Sequence, residues 1–338
     1  MSSFEILLSF IAAGLAAAIS AVLIGATRPM LLRVALAKPN ARSSHRVPTP
    51  QGAGIAVTAA TLLAGGIVIV MAGSPALTVP FTVFAASLFI AAVGFADDVR
   101  PLPVVPRLLL QAAAVAAVLF AAPGDLRIVP ACPLWLERAF LLVAGLWFVN
   151  LVNFMDGLDL MTAAEAVPVA VAVALLGSTG HVLPVTTIVA AALCGALLGF
   201  VPFNRPVAKI FLGDVGSLPI GLLLGWCLLE LALHQHVAAA LLLPLYYLAD
   251  ATVTLLRRMA RREPFWAAHR SHFYQRATDN GFSVWRVIGE VFVLNVVLAL
   301  LAFASVALNS PAADIVLLLA GALAVAVVLR RFSRPRRS

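Results

Sequence analysis

The chain has 338 residues, of which 62% are hydrophobic and 11% charged, with a mean hydropathy of +1.04 and a formal net charge of +8. Soluble domains carry about a quarter charged residues, so a water-soluble globular protein is excluded and an integral membrane protein indicated. No soluble basic domain exists to carry the positive charge, which therefore reads as membrane topology and attraction to anionic lipid headgroups, with no nucleic acid as partner.

Runs apolar enough to cross a hydrocarbon core of about 30 Å extend over 4–26, 53–72, 78–96, 106–122, 136–152, 163–178, 184–201, 218–233, 237–256, 284–306 and 312–330. Those at 163–178 and 218–233 are near the lower limit of about 17 residues, so ten spans is the alternative to eleven. The expected fold is all-α and polytopic, one membrane domain over 1–338 with a basic tail at 331–338. The first run lacks a basic stretch before it and a small-residue cleavage site after it, and is expected to remain as a signal anchor. Taking the 27–52 loop as cytoplasmic puts 21 of the 23 basic residues inside and leaves Arg127 and Arg138 outside. An odd span count then places the N-terminus outside and the C-terminus in the cytoplasm. Both long polar loops, 27–52 and 257–283, fall on the cytoplasmic face, where the chemistry is expected.

The first of these loops holds Arg42, Ser43, His45, Thr49, Gly52 and Gly54. Its side chains can donate to phosphate oxygens and its glycines permit close approach; a positive-inside loop with turn residues would look the same. Asp97 and Asp98 close the third run. Adjacent carboxylates can hold a divalent cation or position a nucleophile, or be solvated loop acids. Asn150 and Asn153 lie one helical turn apart, followed by Asp156, Gly157 and Asp159, a set of amides and acids suited to a nucleobase or sugar and also to helix capping. Asp214 lies between Gly213 and Gly216, with Ser217 next, at the start of a helix. Its charge there opposes bound phosphate unless a cation intervenes, which makes it the first choice for a Mg²⁺ ligand, with an N-cap as the alternative. His269, Arg270 and His272 in the last loop suit a pyrophosphate or phospholipid head. Cys132, Cys194 and Cys227 have no metal-ligand spacing, and no disulfide is expected.

In order, the 42–54 loop, the Asp97-Asp98 pair, the Asn150-to-Asp159 block, Asn204 ten residues before Asp214 and the histidine motif cover nearly the whole chain. Together they resemble the polyprenyl-phosphate N-acetylhexosamine-1-phosphate transferases, most closely the branch that initiates O-antigen with GlcNAc 1-phosphate. The resemblance implies transfer of a sugar 1-phosphate from a UDP-sugar to undecaprenyl phosphate at the bacterial inner membrane, with release of UMP. It implies Asp97, Asp98 and Asp214 as catalytic residues and Mg²⁺, with Mn²⁺ as substitute, held by Asp214, Asp98 and Asn153. Arg42, His45, Thr49, His269, Arg270 and His272 would hold phosphates, and Asn150, Asn153, Asp156, Asp159, Asn204 and Ser217 would line the substrate pocket. Membrane lipid and a second copy in a homodimer complete the expected partners.

The sequence departs from the family pattern at Leu160, where a glycine is common, at Gln51 and Ala53, and in reading His-Arg-Ser-His for a histidine cluster. Phospho-MurNAc-pentapeptide transfer is the alternative reaction. Outside the enzymes, a multi-pass transporter would explain Glu230, Asp250 and Glu290 but predicts polar groups at mid-membrane, and a silent lipid-binding scaffold predicts binding without turnover.

Overall fold

The computed structural model describes residues 2–37, 48–74, 77–264 and 269–335. Arg42 and His45 lie outside the described residues. The elements in chain order are α1 (Ser3–Val34), β1 (Leu36–Ala37), β2 (Thr49–Pro50), α2 (Gly54–Met71), α3 (Phe81–Val99), α4 (Val104–Ala121), α5 (Leu134–Met155), α6 (Met161–Ser178), α7 (Pro184–Asn204), α8 (Asp214–Leu233), α9 (Val237–Leu242), α10 (Leu245–Ala260), α11 (Phe273–Asp279), α12 (Val284–Leu308) and α13 (Pro311–Phe332). Among the described residues ten of these helices are long and apolar enough to cross a membrane. The chain is an all-α polytopic membrane protein.

Burial sorts the spans. Most of α6, α7 and α8 is enclosed by protein, whereas α1, α4 and α13 keep most of their apolar surface outward, toward lipid. A helix that is apolar all round belongs in the centre of such a bundle, and α8 occupies it, against α3, α5, α2 and α6.

Two expectations change. The run at 237–256 is not one helix: it breaks at Leu243-Pro244 into α9 and α10, because proline has no N–H for the helical ladder and clashes with the preceding turn. The first helix runs on past residue 26 to Val34, with Pro29 inside it. At 1.5 Å per residue its 32 residues exceed the hydrocarbon thickness, so its last turns project, and Arg28 Nε donates to the Lys209 carbonyl at 3.4 Å.

The most extensive helix pairing joins α1 to α7. A Cβ at Gly195 would stand 2.0 Å from the Ala13 carbonyl oxygen, and one at Gly199 would stand 2.4 Å from that of Ala17. These four-residue-spaced glycines let two backbones meet directly, the usual device where lipid offers helices no hydrophobic reason to associate.

Candidate active site

The end of the bundle that carries the motifs is built around the start of α8. After β2, the Pro50 carbonyl accepts from Phe211 N, the Phe211 carbonyl accepts from Gly52 N and Ala53 N, and the Leu212 carbonyl accepts from Gly54 N. The loop before α2 is thereby laid along the chain entering α8. Buried Thr49 pairs with Ala37 across the short hairpin. The approach is tight: a Cβ at Gly54 would lie 2.1 Å from Gly216 Cα, and one at Gly94 would lie 2.3 Å from the Asp214 carbonyl oxygen. Glycine is required at both positions by space alone.

Asp98 closes this arrangement. Its Oδ1 accepts from Asp214 N and its Oδ2 from Val215 N, both at 3.0 Å. A carboxylate in the last turn of α3 is poorly placed for its own helix dipole, and capping the N-terminus of α8 compensates it. Asp97 accepts from Leu102 N at 2.6 Å and pairs with Arg107 at 2.7 Å, and its carboxyl also meets that of Asp214. Gln51 Nε2 donates to the Asp98 carbonyl at 3.1 Å. From α5, Asn153 Nδ2 donates to Asp214 Oδ1 at 2.7 Å and to Ser217 Oγ at 2.9 Å. Asp97, Asp98, Asn153, Asp214 and Ser217 therefore form one connected cluster, drawn from three helices.

The neighbouring residues divide into those that face this cluster and those that shape it. Asp156 accepts a hydrogen bond from Thr162 Oγ1 and lies within electrostatic reach of Asp98 and Asp159. Asp159 Oδ2 accepts from Ala208 N at 3.1 Å. Asn204 is buried and both ends of its amide serve the backbone, Oδ1 accepting from Leu160 N at 2.7 Å and Nδ2 donating to the Ile210 carbonyl at 2.9 Å. Asn150 sits a turn deeper on α5 and donates to Gln111 Oε1 of α4 and to the Leu146 carbonyl, both at 2.8 Å. In this structure Asn204 and Asn150 hold backbone and helix contacts.

Leu160 has φ 61 and ψ 0, a left-handed conformation, which accounts for the glycine common there in the family it resembles. Leucine keeps the position because its side chain is buried, 8% exposed. Removing that side chain costs about 2–5 kcal/mol, whereas relief of the left-handed backbone returns only about 1–2 kcal/mol. Both Leu160→Gly and Leu160→Ala are therefore expected to destabilise, with the glycine variant melting above the alanine variant. The reverse order in a thermal melt would rule out the left-handed turn.

The last motif is organised by a residue that sequence reasoning assigned elsewhere. Asp250 of α10 is fully buried. Its Oδ1 accepts from His272 Nδ1, Phe273 N and Thr254 Oγ1, and its Oδ2 accepts from Tyr274 N and Tyr246 Oη, at 3.1–3.3 Å. A carboxylate only accepts, so His272 donates through Nδ1 and keeps Nε2 for other work. His269 stacks near His272, ring centroids 5.0 Å apart. Arg270 reaches Thr278 and Asp279. Tyr274 Oη donates to the Phe154 carbonyl at 3.1 Å, and a Cβ on Gly157 would lie 2.2 Å from that hydroxyl, so α11 is docked onto the turn that carries Asp156.

Residues 80–232 match the family model described as glycosyl transferase family 4, a stretch that runs from α3 to the last turn of α8 and holds the whole acid cluster. Over that stretch the chain is similar to glycosyl transferase family 4. It is 29% identical over 183 residues to the phospho-N-acetylmuramoyl-pentapeptide-transferase of Limosilactobacillus reuteri, covering 52% of this chain and 54% of that one. The chain thus spans about half the length of that relative. It is 28% identical over 331 residues to the decaprenyl-phosphate N-acetylglucosaminephosphotransferase of Mycobacterium tuberculosis, covering 87% and 81% of the two chains.

The acids of this cluster fit a hard, oxygen-preferring cation by their chemistry. Asp98 lies within electrostatic reach of Asp97, Asp156 and Asp214, and Arg107 is bonded to Asp97. Among the described residues no three His, Cys, Asp or Glu side chains are gathered in ligating geometry. The hydrogen bonds already made explain this, since both Asp98 oxygens cap α8 and Asp97 is held by Leu102 and Arg107.

Burial, aided by the charges of Asp98 and Asp159 and opposed by the Thr162 hydrogen bond, pushes the Asp156 carboxyl up to about 7. The folded chain then holds a proton that the unfolded chain releases at lower pH. The sign follows: this contribution to stability is full below the usual carboxylate range near 3.8 and is lost as pH rises through about 7. Detergent-solubilised protein without divalent cation should melt higher at pH 5.5 than at pH 8, and Asp156→Asn should reduce that difference. An unchanged slope in the variant would remove Asp156 as a contributor to it.

Proposed function

We propose that the chain transfers an N-acetylhexosamine 1-phosphate from a UDP-sugar to undecaprenyl phosphate at the cytoplasmic face of a bacterial inner membrane, the step that initiates an O-antigen or cell-wall glycopolymer. An oxygen of the lipid phosphate bonds to the phosphorus next to the sugar, and the bond from that phosphorus to the UMP phosphate breaks. The observation that carries this reading is the joining of Asp97, Asp98, Asn153 and Asp214 through direct contacts at the end of the bundle where His272 and Asp156 also lie.

Phosphoryl transfer needs positioning and charge neutralisation more than covalent help. Asp214 and Asn153, with Asp98 behind them, would hold Mg²⁺ or Mn²⁺, which when bound supplies neutralisation of phosphate charge. Asp98 keeps the first turn of α8 in place and so aims Asp214. Asp97, fixed by Arg107, orients the acceptor phosphate. Asp156 and Asp159 border the donor pocket that Asn204 and Leu160 shape, while His272, oriented by Asp250, and His269, Arg270, Thr49, Arg42 and His45 hold phosphate oxygens. The extended likeness to the mycobacterial relative favours a GlcNAc-type donor; the lactobacillar likeness keeps UDP-MurNAc-pentapeptide as the second reading. Purified protein in nanodiscs, given undecaprenyl phosphate, Mg²⁺ and each donor in turn, should release UMP with a UDP-N-acetylhexosamine. Release only with UDP-MurNAc-pentapeptide would establish the second reading, and folded protein inactive with every donor would refute both.

A further inference from the structure

At the same end of the bundle, away from the acid cluster, α12 and α13 enclose a groove of 560 Å³ walled by Arg286, Arg330, Arg331 and Arg334 together with Phe282 and Val327. Arg286 and Arg331 are fixed: both pair with Glu290, at 2.9 and 3.1 Å, and both lie over the Phe282 ring, 5.8 and 5.9 Å from its centroid. Arg330 and Arg334 are exposed, and among the described residues neither has a carboxylate partner. Four guanidinium groups thus share one acid, an arrangement that calls for an anion with several oxygens. The wall above them is apolar. Val327 lies about one turn before Arg330 and Arg331, and the face continues through exposed Leu323 and Leu319 along a helix turned toward lipid.

We propose that this groove binds the phosphodiester headgroup of an anionic phospholipid, with the acyl chains running along α13. The basic mouth fits the phosphate and the apolar wall fits the chains, a combination that free phosphate does not need. The groove also bears on the last motif. Asn280, at the end of α11, donates through Nδ2 to the Phe332 carbonyl at 2.7 Å, and Phe282 packs edge-on against Phe332 at 5.8 Å. A lipid held there fixes α13 against the turn that follows α11, and so steadies the segment on which His272 is mounted.

The test measures lipid retention, not turnover, and so is independent of the proposed reaction. Wild-type protein in phosphatidylcholine nanodiscs doped with phosphatidylglycerol should retain phosphatidylglycerol in native mass spectrometry and melt higher than in phosphatidylcholine alone. The double variant Arg330→Gln/Arg334→Gln, altered at exposed positions, should bind that lipid roughly 30-fold more weakly, since each interfacial arginine contributes about fivefold. Arg330→Glu/Arg334→Glu should lose it altogether. Equal retention by wild type and both variants would overturn the proposal. So would full thermal stabilisation by inorganic phosphate in phosphatidylcholine discs, which would make the groove a free-phosphate site, or displacement of phosphatidylglycerol by equimolar undecaprenyl phosphate, which would make it part of the acceptor path.

Discussion

Asp214→Asn is expected to lower turnover by about 10²–10³-fold or more, the loss typical when one preorganised electrostatic contact to the reacting centre is removed, while leaving the melting temperature nearly unchanged. The amide has the size of the carboxyl and its oxygen can still accept from Asn153 Nδ2, the bond now made at 2.7 Å. Only the charge is lost. The remaining activity should also need more Mg²⁺ for half-maximal rate. Wild-type turnover at an unchanged Mg²⁺ requirement would eliminate Asp214 from the proposed cation site. Asp125, in the loop between α4 and α5, provides the control: Asp125→Asn should change neither quantity.

Asp250 is the site of the second large effect, on structure first and activity through it. Asp250→Ala strands the two backbone N–H groups of Phe273 and Tyr274 and the side chains of His272, Thr254 and Tyr246 inside the protein. Breaking a buried charged network from one side costs about 3–5 kcal/mol. Asp250→Asn should help little, because the cap uses both oxygens: Phe273 N donates to Oδ1 and Tyr274 N to Oδ2, and an amide would point its NH₂ at one of those donors. Hydrogen exchange should show α11 opening in both variants while α3 and α8 stay protected. Protection of α11 unchanged in Asp250→Ala would dismiss the cap.

The role of Asp250 is not legible in the sequence. A lone acid within an apolar run reads as an intramembrane group, the mark of a transporter, and nothing local connects it to His272, 22 residues later. The link is made in space, by a helix N-terminus that needs an acceptor. Span positions were far more legible, because hydrocarbon thickness imposes a length that composition reveals directly. The two departures had visible causes with ambiguous outcomes: Pro244 breaks its helix, whereas Pro29, Pro168, Pro202 and Pro219 are carried inside theirs. Motif membership was likewise readable while division of labour was not. Asn204 and Asp159 have the residue types of ligand-binding groups, and their bonds to Leu160, Ile210 and Ala208 give them a hold on the backbone as well.

The seam between α1 and α7 has a consequence for how the protein is made. Ala13 and Gly195, whose backbones touch there, are separated by roughly 180 residues, which a ribosome takes roughly 10–40 s to synthesise at about 5–20 residues per second. During that interval the first helix stands in the bilayer without its principal partner, while five further spans are inserted. The groove of small residues that will receive Gly195 and Gly199 faces lipid or the insertion machinery until then. Assembly of this bundle is therefore governed by a late arrival: a larger residue at 195 or 199 would leave insertion of the early helices intact and fail at closure, giving a fully threaded but loosely associated chain for membrane quality control to remove.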